Sequence, residues 1–293
     1  MILTALLAAA SPLVQASPPK PKLDGNRLVK AALVADHSAI RPGAKLTLGV
    51  KLTIEKGWHV YWQNPGDAGA PTLATVRAPR GFEVGELQYP SPEREESAGD
   101  LVSFVHKDEM VILCEVKAPA DLVAGSTVEL GVDCRWLVCQ ETCYPGSGKA
   151  ELTLAVAKPA DADAPANESA NERDFQRWRA RLPRPFEELQ EIAGFFATTP
   201  WTNWKDPFVV IVPGAQALDF FPYTDDPATL NLSGLQLEPS GDKCTMKLRF
   251  EPPAGYDGPA YRFRGVIAVR TAKGETCYRL GGAVALAQGA HKG

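Results

Sequence analysis

A chain of 293 residues with a formal charge of −4 at pH 7, 45% hydrophobic and 23% charged, has the make-up of a globular protein long enough for two domains. The acidic balance and the lack of any basic cluster exclude an electrostatic footprint for nucleic acid or a membrane surface. With 25 prolines and 25 glycines, strands joined by turns are favoured over long helices. Residues 1–16 read as a secretory signal peptide. Ile2 to Ala10 form a short apolar core, and Val14-Gln15-Ala16 offers small residues for cleavage near Ala16, although no Lys or Arg precedes the run. No cysteine follows that run, so a lipid anchor is not expected. No later apolar stretch reaches the roughly 18 residues that span a bilayer. The expectation is an exported, soluble, periplasmic chain. In that oxidising compartment its six cysteines are read first as disulfide chemistry.

Residues 24–158 carry a strand pattern. Leu46, Leu48, Val50, Leu52 and Ile54 alternate with polar or small residues, the period of a half-buried strand. Strand-sized pieces follow at 82–89, 110–117, 126–138 and 150–157, separated by Pro/Gly turns such as 118–125. Many short strands with no intervening helix indicate a β-sandwich or barrel. Residues 159–184 change character. A polar stretch without apolar periodicity is a linker, and in "ERDFQRWRARL" Phe175, Trp178 and Leu182 fall at helical spacing before Pro183. This predicts one short amphipathic helix packed between the halves. From 185 to 290 the strand pattern resumes in "FVVIVPG", "KCTMKLRFEP" and "YRFRGVIAVRTAKGETCYRL", the last with a hairpin turn at "AKGE". The fold class expected is mainly β, two sandwiches joined by a linker and one short helix.

The stretch "WLVCQETCYPG" places Cys139 and Cys143 four positions apart. Side chains alternate along "VELGVDCRWLVC", so Val128, Leu130, Val132, Cys134, Trp136 and Val138 face the core and Cys139 ends the strand on the polar face. Pro145-Gly146 is expected to turn the chain and hold Cys143 in a tight loop beside Cys139. A disulfide across so short a loop adds little chain-entropy stabilisation, so a reversible redox pair is a better use than a staple. Thiol exchange needs an accessible thiolate, a second thiol in reach and shielding, which Trp136 or other aromatics would supply. Two alternatives stay open: a disulfide that only stiffens a turn, and a soft-metal site of the two cysteines with His59 or His106, whose spacing matches no standard zinc pattern. Cys114 shares a face with Ile112 and Val116. It points inward like Cys134, and the two are expected to meet across paired strands as a structural disulfide, with two free core thiols as the alternative. Cys244 points inward and Cys277 outward, which leaves a structural bridge between them with opposed parity. In "GWHVYWQNPGD", Trp58, Tyr61 and Trp62 precede a tight turn at Asn64 to Asp67. They read as packing aromatics, with Trp62 or Tyr61 as a possible wall of the cysteine loop.

"KGWHVYWQNPGDAGAPT" together with "WLVCQETCYPG" resembles the periplasmic N-terminal region of the DsbD/ScsB thiol:disulfide interchange proteins. The likeness covers 24–158 well; the helix and later sandwich look more weakly like the second half of the ScsB-type region. It implies an immunoglobulin-like fold whose cysteine pair is reduced by a membrane module and then reduces periplasmic thiol oxidoreductases. On that resemblance Cys143, in its "CYP" context, is the attacking thiol and Cys139 resolves the mixed disulfide. The family's cap loop corresponds to "GDLVSFVHKDE", which makes Phe104 the cap candidate with Leu101 and His106 nearby. The DsbD-type pair is more widely spaced than this one, while ScsB-like sequences are similar. With no membrane module or thioredoxin-like domain in the chain, the electron donor is expected to be a separate membrane protein. The function expected is thiol:disulfide interchange, a protein-disulfide reductase type of oxidoreductase without cofactor or metal, because the sulfurs carry both electrons. The alternatives are a non-enzymatic interaction module with a fixed disulfide and a copper-handling protein.

Overall fold

The computed structural model describes residues 24–157 and 171–185, and residues 187–285 with gaps at 189–196, 199–206, 224–228, 231–235, 242, 252–259, 263 and 281–282. The expected signal peptide and most of the expected linker lie outside the described residues.

The first half starts with a single turn, α1 (Gly25–Leu28), and eleven strands follow. These are β1 (Val29–Ala35), β2 (Ala39–Ile40), β3 (Lys45–Ile54), β4 (His59–Gly66), β5 (Leu73–Arg77), β6 (Glu83–Gln88), β7 (Glu93–Ser97), β8 (Leu101–Lys107), β9 (Glu109–Lys117), β10 (Thr127–Cys139) and β11 (Cys143–Val156). They form two sheets, β1-β3-β9-β6 and β2-β11-β10-β4-β8-β7, with β5 also bonded to β10. The alternation of the sequence is what closes them into a sandwich. Leu46 to Ile54 in β3 and Val128 to Val138 in β10 bury every second side chain between the sheets.

Several expectations are corrected. Tyr144-Pro145-Gly146 is no turn but the start of β11, and residues 140–142 turn the chain instead. Proline is tolerated because β2 pairs only with Ala155 and Val156, leaving the first half of β11 an edge. Gly146 is needed because a Cβ there would overlap Trp136, whose indole N–H donates to the Gly25 carbonyl at 3.1 Å. The segment expected as a cap is the ladder strand β8, between β4 and β7. Cys114 and Cys134 do point inward, but from opposite sheets on strands that are not neighbours, and both are free thiols. The Cys114 thiol donates to the Gly85 carbonyl at 3.4 Å, and burial pushes Cys134 up to about 11. Cys244 and Cys277 are likewise free and lie in different sheets of the second half.

Helix α2 (Glu172–Arg179) forms where the 3.6-residue spacing predicts it. It does not lie between the halves. Phe175 and Trp178 cover Val111 and Leu113 on the outer face of β9, with Val34 alongside. That face would otherwise expose apolar residues, and Gly49 gives the two rings room beneath them. Asp36 fastens the helix through Arg179 at 2.6 Å, and Trp178 donates to Glu109 at 3.0 Å.

The second half contains β12 (Arg184–Pro185), β13 (Ala197–Thr198), β14 (Phe208–Pro213), β15 (Ala217–Pro222), β16 (Thr229–Leu230), β17 (Gln236–Ser240), β18 (Lys243–Leu248), β19 (Phe250–Glu251), β20 (Ala260–Arg262), β21 (Gly265–Thr271), β22 (Gly274–Leu280) and β23 (Ala283–Ala285). Sheets β12-β22-β21-β15 and β13-β14-β18-β17 form a second sandwich, with β16–β19 and β20–β23 as two-stranded ladders. The buried side chains of both halves make one continuous apolar cluster. Its centre is aromatic: Phe221 lies edge-on to Phe104 at 5.0 Å and to Trp62 at 6.3 Å, and Tyr223 sits 5.7 Å from Trp62.

Candidate functional site

The long hairpin β10–β11 places Cys139 directly opposite Cys143 across its last ladder rung, with Cα atoms 4.1 Å apart, and the two form a disulfide. That close approach matches a non-hydrogen-bonded antiparallel pair. The two sulfurs have different surroundings. Cys139 is 2% exposed, in a small cluster with Tyr61 and Val105 that Leu137 borders. Cys143 is exposed.

The ladder explains what surrounds the pair. Cys139 stands opposite His59, His59 opposite Lys107, and Tyr61 opposite Val105. Residues opposite one another share a face, so all of these project to the outer side of the sheet. The Tyr61 hydroxyl donates to Cys139 Sγ at 3.4 Å and lies 3.9 Å from Cys143 Sγ. Burial, with Glu95 nearby, raises the Tyr61 pKa, so the ring remains a phenol and a donor at neutral pH. His59 meets the Tyr61 ring edge-on at 5.3 Å, and its Nδ1 is 3.6 Å from Glu95 Oε1. Burial lowers the His59 pKa; Glu95 opposes this and Lys107 adds to it. Lys107 Nζ binds the other oxygen of Glu95 at 2.7 Å, and that carboxylate raises the lysine's pKa.

The loop after β4 covers the tyrosine. Asp67 exchanges hydrogen bonds with Val102, its N–H donating to the carbonyl at 2.8 Å and its Oδ2 accepting from the Val102 N–H at 2.9 Å. Gly69 lies so close to the Tyr61 ring that a Cβ there would overlap it, and its φ of +101° is one that L side chains rarely adopt. Gly69→Ala is therefore expected to push Tyr61 off the sulfurs and, in the Cys143→Ala background, to speed alkylation of the Cys139 thiol by iodoacetamide. An alkylation rate unchanged from that of Cys143→Ala alone would contradict this covering role.

Of the five shielding candidates, the structure brings Tyr61 to the cysteines. Trp62, Phe104 and Trp136 lie on the opposite face of the same sheet, fully inside the core. Leu101 shares the outer face but sits six residues along β8 from Lys107, a rise of about 20 Å. His106 points to the core side, where burial, with Arg181 adding to it, lowers its pKa to about 3, and it cannot join a metal set with the cysteines. Among the described residues, no group of three or more His, Cys, Asp and Glu is placed to hold a metal ion. Glu95, Lys107, Val105 and Leu137 escaped the sequence reading. Parity along "LVSFVHK" separates Val105 and Lys107 from Phe104, but only the pairing register shows which set meets the cysteines.

Comparison with known proteins agrees with this geometry. Residues 26–155 match the family described as "Thiol:disulfide interchange protein DsbD, N-terminal". The N-terminal periplasmic domain of ScsB from Proteus mirabilis shares the fold, with a TM-score of 0.60 at 15% identity over 86% of this chain and 92% of that one. The reduced DsbD N-terminal domain of Neisseria meningitidis matches with a TM-score of 0.28 at 14% identity, over 48% of this chain and 96% of its own. The complex between the DsbD and PilB N-terminal domains of the same organism matches with a TM-score of 0.25 at 14% identity, over 40% of this chain and 79% of that one. No curated protein sequence matches the chain significantly. No helix among the described residues is long and apolar enough to cross a membrane. The immunoglobulin-like sandwich, the bonded cysteine pair and the match over residues 26–155 agree with one another, and this stretch of the chain is similar to the DsbD N-terminal family.

Proposed function

We propose that the chain exchanges disulfides with periplasmic thiol oxidoreductases through Cys139 and Cys143, and is itself reduced by a membrane electron donor. The observation that carries this is the inequality of the two sulfurs: Cys143 open to solvent, Cys139 buried under the Tyr61 hydroxyl at 3.4 Å. An incoming donor thiolate attacks Cys143 Sγ, a mixed disulfide forms there, and Cys139 leaves as a thiolate that accepts the Tyr61 hydrogen bond. The donor's second thiol then attacks its own sulfur in that bond and releases Cys143, so the donor is oxidised and the pair holds both electrons. In the other half-reaction the Cys143 thiolate attacks an oxidised client, whose second sulfur leaves. Cys139 then attacks Cys143 Sγ and expels the client's remaining thiolate, restoring the disulfide and leaving the client reduced by two electrons. The family match over residues 26–155 supports a protein client.

Equilibration with glutathione buffers tests the reading. A midpoint above about −300 mV is expected, whereas a lower one marks a structural bond. Tyr61→Phe keeps the ring and removes the donor. A hydrogen bond to a charged group contributes about 1.5–3 kcal/mol, so reduction should slow by roughly ten- to a hundredfold in stopped flow.

A further inference from the structure

Three strands of the first sandwich have two jobs. On their outer face β4, β8 and β7 supply His59, Tyr61, Val105, Lys107 and Glu95 to the redox pair. Their other face is covered by β15 of the second sandwich and the residue after it. β4 meets it through Trp62, which touches Phe221 and Tyr223, and through Asn64, whose Nδ2 donates to the Pro222 carbonyl at 2.8 Å. β8 meets it through Phe104, 5.0 Å from Phe221. β7 meets it through Arg94, whose guanidinium lies 3.5 Å from Asp219. Among the described residues β7 is the edge of its sheet, bonded to β8 alone. Arg94 and Glu95 are consecutive and so project to opposite faces. One holds the second sandwich; the other holds His59 and Lys107 beside the sulfurs.

We propose that the second sandwich is a positioning element for the thiol pair: Asp219, Phe221 and Pro222 fix β7, β8 and β4 from behind, and thereby set Glu95, His59 and Tyr61 around Cys139 in front. None of the three touches a sulfur. They act through strands of which β4 at residues 59–62 and β8 at residues 102–106 are buried on both faces, so that a shift on one face is felt on the other, and through the Arg94–Glu95 step of β7. This inference rests on the interchange reading.

The test uses the full chain and two conservative variants. Asp219→Asn removes the charge opposite Arg94, and Phe221→Leu removes the ring edges while keeping an apolar filler. Each is expected to change the equilibrium constant with glutathione by threefold or more, with a thermal melt that stays cooperative. Lys273→Ala, in the exposed turn between β21 and β22, should leave that constant unchanged. A double-mutant cycle of Asp219→Asn with Glu95→Gln separates positioning from general destabilisation, because residues acting through one strand are non-additive. Parental equilibrium constants in both folded variants overturn the inference, as does strict additivity in the cycle. If one variant fails to fold, the other and the cycle decide. A parent that exchanges while the variants match it sinks only this inference; a parent inert to glutathione sinks the interchange reading as well.

Discussion

Replacing Cys139 with alanine is expected to convert a transient mixed disulfide into a lasting one. The exposed Cys143 still attacks a client disulfide, but no second thiol remains to expel the client. Purified Cys139→Ala protein incubated with periplasmic extract should therefore collect adducts on non-reducing gels that disappear with dithiothreitol. Cys143→Ala should collect none, because the surviving thiol is 2% exposed beneath Tyr61 and Val105. Equal adduct formation by both variants would mean that access does not distinguish the sulfurs. A complete absence of adducts with Cys139→Ala would argue that the bond serves the hairpin alone.

Trp62→Ala should cost about 3–5 kcal/mol, the range for emptying a fully buried large aromatic site. The indole is 0% exposed and contacts Phe104 from the first sandwich and Phe221 and Tyr223 from the second. For a chain of this size such a loss lowers Tm by about 6–20 °C. The transition is expected to stay single, since one apolar cluster runs through both halves. Calorimetry that resolved a second, unmoved transition would show two independently folding domains and undo the argument from a shared core.

Period-2 alternation made much of this fold legible. It located β3 and β10, turned Cys114, Cys134 and Trp136 inward, and put Cys139 on the face opposite Val138. Its limits are physical. Parity gives a face and not a sheet, so Cys114 and Cys134 looked like partners although they approach the core from opposite sides. A polar face is exposed only where nothing lies over it, and the Tyr61 ring covers Cys139 from a strand 78 residues away in sequence. Pro-Gly reads as a turn in solvent, yet here Pro145 sits at an unpaired edge and Gly146 makes room for Trp136. The resemblance makes Phe104 a cap candidate with plain core packing as the alternative, and alternation along β8 groups it with Val102 and His106, on the core side. The helix was read from its spacing, but its docking site was not. That depended on apolar residues left on the outside of β9.

Pro145 also governs how copies of this chain meet one another. An open strand margin beside an exposed sulfur would invite neighbouring molecules to zip together through their backbones and then lock by oxidation. Proline has no N–H to offer there, and the Asn26 side chain already accepts from Ser147 at 2.7 Å. Backbone pairing between copies, and with it growth into fibrils, therefore finds no template at Pro145 and Ser147, close to the exposed Cys143.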